Sequence, residues 1–258
     1  MAHYSKLEYW DDRYSKDSDP YDWYERYSDL TTILKEYMQP QHQILHIGCG
    51  NSRLTEEMYN DNFHNITSID FSTVAIKQMI EKSKAMAELK FIAMDTRKLE
   101  FANNSFEVVI DKGTLDSILC GDNATANSDS MLKEIQRVLA DGGVYICISF
   151  GYPDIREAIL KKQQWEITTK TVNRSTQLNQ KGEKKEQFHY IYICKKTAPT
   201  KAETPKQVTE TKEAKEEAKK EEPMKIESIA TPDKNEKPQE NTPMKTDGDQ
   251  NPKKEEIK

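Results

Sequence analysis

The sequence predicts an α/β fold: a mostly parallel, doubly wound sheet that finishes in an antiparallel hairpin. Three observations carry this reading. Short apolar runs alternate with segments of helical periodicity between Gln43 and Phe150, as strands joined by crossover helices do. The first of these runs leads straight into a glycine turn, Gly48-Cys49-Gly50-Asn51, and then a helical segment. Near the end of the globular part, WEITTKTV (165–172) and FHYIYICK (188–195) both alternate in polarity and flank the polar, glycine-containing stretch 173–187, which reads as a hairpin.

Taken in order, the first 27 residues hold two of the three tryptophans and six of the twelve tyrosines, interleaved with charge as YWDDRY and PYDWYERY. Such a segment is too polar for a core and too aromatic for a loose tail, so it is expected to lie as a lid over a concave surface. Trp10, Tyr14 and Trp23 then either face a cationic, aromatic ligand or staple the N-terminus to the sheet edge. Ser28 is expected to cap a helix with Leu30, Ile33, Leu34, Tyr37 and Met38 on one face, stopped by Pro40. Ile44, Leu45 and Ile47 mark the first strand, and Leu54 and Met58 the inward stripe of the next helix. The run 65–70 is a second strand ending in Asp70, after which Ser72 caps a helix carrying Ile76, Met79 and Ile80. LKFIAM (89–94) and FEVVI (106–110) are the third and fourth strands, ending in Asp95 and Asp111. Met131, Leu132, Ile135, Val138 and Leu139 belong to a further helix that Gly142-Gly143 should end, before a fifth strand over 144–150.

From Thr197 onward the character changes. This stretch holds seven of the ten prolines and no aromatic residue or cysteine. It cannot bury enough apolar surface to offset its ordering entropy, so residues 1–196 are read as one domain and 197–258 as a disordered Lys/Glu/Pro-rich tail. A net charge of -6 disfavours nucleic acid as a partner. The four cysteines show no metal-ligand spacing and sit mostly in apolar runs, as buried reduced thiols do, and no metal site is expected. With no apolar signal core or membrane-length run, a soluble cytoplasmic or nuclear protein is the expectation.

The glycine turn and the strand ends suggest the ligand. Gly48 and Gly50 leave room for a ligand at the backbone, with Asn51 beside them. Asp70 follows Gly50 by 20 residues, where an open parallel sheet places the carboxylate that accepts from ribose hydroxyls. A dinucleotide site needs a third small residue in this turn, but Arg53 stands there. S-adenosylmethionine has ribose and adenine without phosphates, so it fits the two glycines and the acid. Phe71 can then pack on adenine, and Asp95, with the Thr96 backbone nearby, can accept from its amino group. For any single aspartate here, a turn or helix cap is the alternative role. Methyl transfer from a sulfonium is a direct displacement, needing alignment rather than a protein nucleophile or metal. A carboxylate helps by orienting an acceptor amine, and Asp111 and Asp116 in DKGTLD (111–116) are the candidates, Asp116 being the one expected to face the acceptor.

The turn IGCGNS and SIDFS resemble motifs I and II of class I S-adenosylmethionine-dependent methyltransferases. With YWDDRY, PYDWY, MDTRKLEF and SFEVVIDKGTLDSIL, the order of motifs resembles the eukaryotic methyltransferases that modify lysines of translation elongation factor 1-alpha. The resemblance covers about Tyr9 to Phe150 well, the hairpin loosely and the tail not at all. It implies a Rossmann-like fold with a seven-stranded sheet, protein-lysine N-methylation with elongation factor 1-alpha as the partner, and cofactor contacts from Trp10, Tyr14, Trp23, Gly48, Asp70, Phe71, Asp95, Thr96 and Lys112. Lys112 enters through the resemblance alone. The polar segment 120–130 departs from the pattern next to the acceptor site, as does Asp141 where a proline often precedes the glycine pair. Alternatives are a methyltransferase for another protein or a small molecule, and a cofactor-binding scaffold without turnover.

Overall fold

The computed structural model describes residues 3–178 and 184–197, over 173–187 by backbone alone. The tail expected from Thr197 lies outside these residues, Thr197 itself excepted.

Seven strands form one sheet: β1 (Ile44–Ile47), β2 (Ile66–Asp70), β3 (Lys90–Ala93), β4 (Phe106–Lys112), β5 (Leu139–Ser149), β6 (Trp165–Leu178) and β7 (Lys184–Lys196). Their order is β3-β2-β1-β4-β5-β7-β6. All pairs are parallel except β5 with β7 and β7 with β6. Among the described residues seven helices accompany them: α1 (Leu7–Lys16), α2 (Tyr27–Leu34), α3 (Leu54–Asn60), α4 (Thr73–Lys82), α5 (Thr114–Leu119), α6 (Ala124–Val138) and α7 (Pro153–Leu160). The chain winds outward from β1 in one direction and from β4 in the other, so the switch point lies between them, where such sheets bind ligands beyond the strands' carboxyl ends.

Strand residues alternate between two buried faces, which is why the central strands read as continuous apolar runs. Val108, Ile110, Ile146 and Ile148 pack with Leu30, Leu34, Leu54 and Met58 of α2 and α3. Val109, Tyr145 and Cys147 point the other way, against Met131, Leu132 and Ile135 of α6.

Several sequence expectations move. The aromatic N-terminal segment contains a helix, α1, whose buried face is only Trp10 and Tyr14, too sparse a stripe for periodicity to detect. Helix α2 begins at Tyr27, one residue before the expected cap; the Arg26 backbone N–H donates to the Asp29 carboxylate at 3.2 Å. Gly142-Gly143 do not end α6, which stops at Val138; they lie within β5, in the register shift between Phe106 and Val108 of β4. Short α5 and α7 were not anticipated, and the hairpin strands run longer than their alternating segments. Cys49, Cys147 and Cys194 are buried free thiols, whereas Cys120 is exposed. Among the described residues no helix is long and apolar enough to cross a membrane, and no group of three or more His, Cys, Asp or Glu could hold a metal ion.

Ile146, fully buried mid-sheet, gives a direct test of this packing. Ile146→Ala should cost about 2–5 kcal/mol and Ile146→Val about 0.5–1.5, read from denaturant midpoints; equal, near-zero shifts would contradict the placement.

Candidate active site

A cleft opens at the switch point. Its floor is the turn after β1, the ends of β2 and β4, and the loop after β3; its roof is the aromatic N-terminal segment. All the sequence-derived candidates line it except Asp111.

The turn is shaped by its neighbours. Gly48 and Gly50 have φ of +60° and +51°, in the left-handed region that favours glycine. A Cβ on Gly48 would stand 2.0 Å from Thr114 Oγ1, and one on Gly50 would stand 2.5 Å from the Tyr14 hydroxyl. The glycines therefore admit α5 and α1 to the turn, in addition to leaving backbone open to the cleft. The Asn51 amide donates to the Asp19 carbonyl at 2.6 Å, tying floor to roof.

Asp70 is buried, and its carboxylate accepts from the Gly50 and Ser72 backbone N–H groups, both at 2.9 Å. Each oxygen takes one bond and keeps room for another. Burial pushes its pKa up to about 6, although those two N–H groups pull it down; nearby Asp11 adds to the rise. Asp95 is engaged differently: its carboxylate accepts from the Arg97 guanidinium, at 2.9 Å from Nε and 2.6 Å from Nη2. Partial burial works to raise Asp95, but the Arg97 side chain and N–H hold it below the usual range. The neighbouring Thr96 hydroxyl is buried and has no partner among the described residues. An orphaned polar atom in a cleft wall points to a ligand group.

The roof is an aromatic cluster. Trp10 and Tyr14 stack at 5.7 Å, with Phe71 and Trp23 packed against them and against Ala75 of α4. These rings pack the segment against α4, where the sequence offered the sheet edge, and the same side chains line the cleft. Lys112, at the end of β4, is buried; its Nζ donates to Asp22 Oδ1 at 3.0 Å and to the Trp23 carbonyl at 3.1 Å. Burial lowers its pKa, and the Asp22 carboxylate resists that fall. Ser52 also donates to Asp22.

The two DKGTLD carboxylates differ sharply. Asp111 is fully buried and accepts from the Thr114 and Leu115 N–H groups, at 2.7 and 3.1 Å, and from the Tyr145 hydroxyl at 2.8 Å. It caps α5 beneath the cleft and cannot touch an acceptor; its pKa is raised to about 6, by burial first. Asp116 does line the cleft, but four donors converge on it. Oδ1 accepts from Ser149 Oγ at 2.7 Å and from Arg156 Nη2; Oδ2 accepts from Tyr24 Oη at 2.7 Å and Phe150 N at 2.9 Å. Tyr24, Asp22, Ser149 and Arg156 were missed by sequence reasoning. The first two sit in the PYDWY cluster without any mark separating them from their neighbours, and the last two carry no local signal.

The comparisons with known proteins agree with this geometry. Residues 39–231 match the family model described as a methyltransferase domain. The chain belongs to the methyltransferase-domain family. Among curated relatives of this chain, the eEF1A lysine and N-terminal methyltransferase of Homo sapiens is 35% identical over 179 residues, 67% of this chain and 26% of that protein. The EEF1A lysine methyltransferase 4 of Mus musculus is 34% identical over 176 residues, 64% of this chain and 69% of that protein. The chain thus spans about a quarter of the former's length. The fold is shared with a SAM-dependent methyltransferase from Methanosarcina mazei, at a TM-score of 0.52 and 18% identity over 69% of this chain and 99% of that one. A protein that converts a disulfide bond into a thioacetal group in echinomycin biosynthesis gives 0.57 and 15%, over 76% of this chain and 94% of that one.

Asp70 and Asp111 set a pH dependence. Unfolded aspartates titrate near pH 4 and these two near 6, so across that window the native state holds protons that the unfolded state has released. Their contribution to stability is full below about pH 4 and is lost as pH rises through about 6. Melting temperatures of the ligand-free protein should show a shallower decline over this window in Asp70→Asn than in the unsubstituted chain. Identical slopes would contradict the assignment.

Proposed function

We propose that this chain transfers a methyl group from S-adenosylmethionine to a lysine side chain of eEF1A, translation elongation factor 1-alpha. One observation carries the cofactor reading: among the described residues, the cleft combines a buried ribose-ready carboxylate, a partnerless Thr96 hydroxyl and aromatic walls with no free cation to receive phosphate. Both cations lining it, Arg97 and Lys112, are paired to carboxylates. The acceptor reading draws its support from the two relatives named above, whose names specify eEF1A and lysine.

In this reading Asp70 accepts from the ribose hydroxyls with the lone pairs its backbone donors leave free, Phe71 packs on the adenine, and the Asp95–Thr96 loop meets the adenine edge. Trp10, Tyr14 and Trp23 shield the site from water and present aromatic faces to the sulfonium. Gly48, Gly50 and Asn51 hold the amino-acid end, and Lys112 keeps the roof down. When bound, S-adenosylmethionine supplies an electrophilic methyl group whose C–S bonding pair returns to sulfur. The residues here align that methyl with the acceptor nitrogen. A lysine amine starts near pKa 10.4, so it must release its proton before its lone pair can attack; Asp116, saturated by donors, is not the group that takes it.

The experiment is transfer of labelled methyl to purified eEF1A, with peptide mass spectrometry to locate it. Label on one lysine is expected. Asp70→Ala removes a charged acceptor and should weaken cofactor binding roughly tenfold to a hundredfold, about 1.5–3 kcal/mol, with a matching loss of label at low cofactor. Robust cofactor binding without label on eEF1A would overturn the acceptor, and no cofactor binding would overturn the whole reading.

A further inference from the structure

We infer that the Tyr24 hydroxyl is the group that contacts the acceptor amine, and that Asp116 is a positioning residue acting through it. This rests on the methyl-transfer reading above and deepens it at the acceptor end.

A carboxylate has about four lone-pair sites, and Asp116 fills them with Ser149, Arg156, Tyr24 and the Phe150 N–H. Nothing is left on it for an incoming amine. Tyr24, in contrast, commits its only hydroxyl proton to Asp116 and lines the cleft. Its oxygen therefore offers the cleft lone pairs alone, made more basic as acceptors by the carboxylate behind them. An amine N–H is the complementary partner.

The backbone is consistent with a position held for function. Tyr24 has a φ of +66°, in the left-handed region where a bulky side chain is strained and persists only when its surroundings impose it. Those surroundings are specific. The ring packs against His189 at 4.9 Å and Trp23 at 6.4 Å, and the next residue, Glu25, is buried and paired with His189 Nδ1 at 2.6 Å. Arg156 and Ser149 fix Asp116 from the opposite side. The hydroxyl is thus clamped between β7, the roof and the start of α7.

What Tyr24 does in the step follows. Burial first, and then the Asp116 charge, push its pKa up, so it stays a neutral phenol and does not abstract the proton. It holds one N–H of the already neutral amine, which aims the nitrogen lone pair along the new N–C bond as the C–S bond breaks toward sulfur. The proton left on the methylated nitrogen departs to solvent.

The test compares full-length wild type, Tyr24→Phe, Asp116→Asn and the double variant on eEF1A. Tyr24→Phe keeps the ring and its packing, so it should fold and bind S-adenosylmethionine within about twofold of wild type. Its kcat should fall about tenfold or more with KM for eEF1A little changed, the split expected when an interaction acts in the transition state. Asp116→Asn should show the same split, and the double variant should be no worse than the weaker single, because both changes break one contact. Melting curves and cofactor affinity separate this from misfolding. A wild-type kcat in Tyr24→Phe, or losses that multiply in the double variant, would overturn the inference while leaving the methyl-transfer reading intact. No protein labelled by wild type would overturn both.

Discussion

The buried pair between Lys112 and Asp22 is the constraint on which the rest of the site depends. An ammonium taken out of water is costly unless it is fully hydrogen-bonded and paired, and removing one partner of such a pair typically costs about 3–5 kcal/mol. Here the anion and the second acceptor, the Trp23 carbonyl, both come from the aromatic segment. The end of β4 is therefore left with an unsatisfied charge whenever that segment lifts. Because Asp22 also accepts from Ser52, and Asn51 donates to Asp19, the same loop is tied to the turn after β1. A segment of high polarity and little core of its own is in this way given one position over the sheet.

The division of labour across the cleft follows from that anchoring. The strand ends supply carboxylates in distinct states: Asp70 half-satisfied and open to a ligand, Asp95 bound to Arg97, Asp111 consumed in capping α5, and Asp116 saturated. Only Asp70 among them keeps both cleft access and unused lone pairs, which suits it to hydroxyl donors. Side chains that the reaction does not need are neutralised or used up in structure, so the cavity presents an aromatic, phosphate-indifferent interior. His46 shows the same tendency from below: burial and the Lys112 charge hold it neutral, its pKa lowered to about 3, in a chain of bonds to Thr55 and Ser68.

The sheet was legible in the sequence because its central strands are buried on both faces and so appear as uninterrupted apolar runs bounded by aspartate and glycine. The glycine turn and the first carboxylate of the cleft were legible for a related reason: Gly48, Gly50 and Asp70 occupy positions set by the strand-turn-helix geometry. What could not be read was how groups distant in the chain share bonds. Asp111 and Asp116 lie five residues apart in one motif, yet one faces inward and the other the cleft, and bonds from Tyr145 to the first and from Ser149, Arg156 and Tyr24 to the second help leave neither free. Gly142-Gly143 misled because a glycine pair after an apolar helix stripe normally marks its end, whereas here it accommodates a register shift within β5. Helix α1 escaped because two buried aromatics do not make a periodic stripe.

In the proposed reading, the S-adenosylmethionine pocket exists only while the Lys112–Asp22 pair holds the aromatic roof in place. Calorimetric titration of S-adenosylmethionine into the full chain and into Lys112→Met tests it most directly. The account predicts saturable one-site binding to the full chain, with affinity reduced at least about tenfold, or about 1.4 kcal/mol, in a variant that remains folded. Equal affinity in the two proteins, or no binding to the full chain, would contradict it.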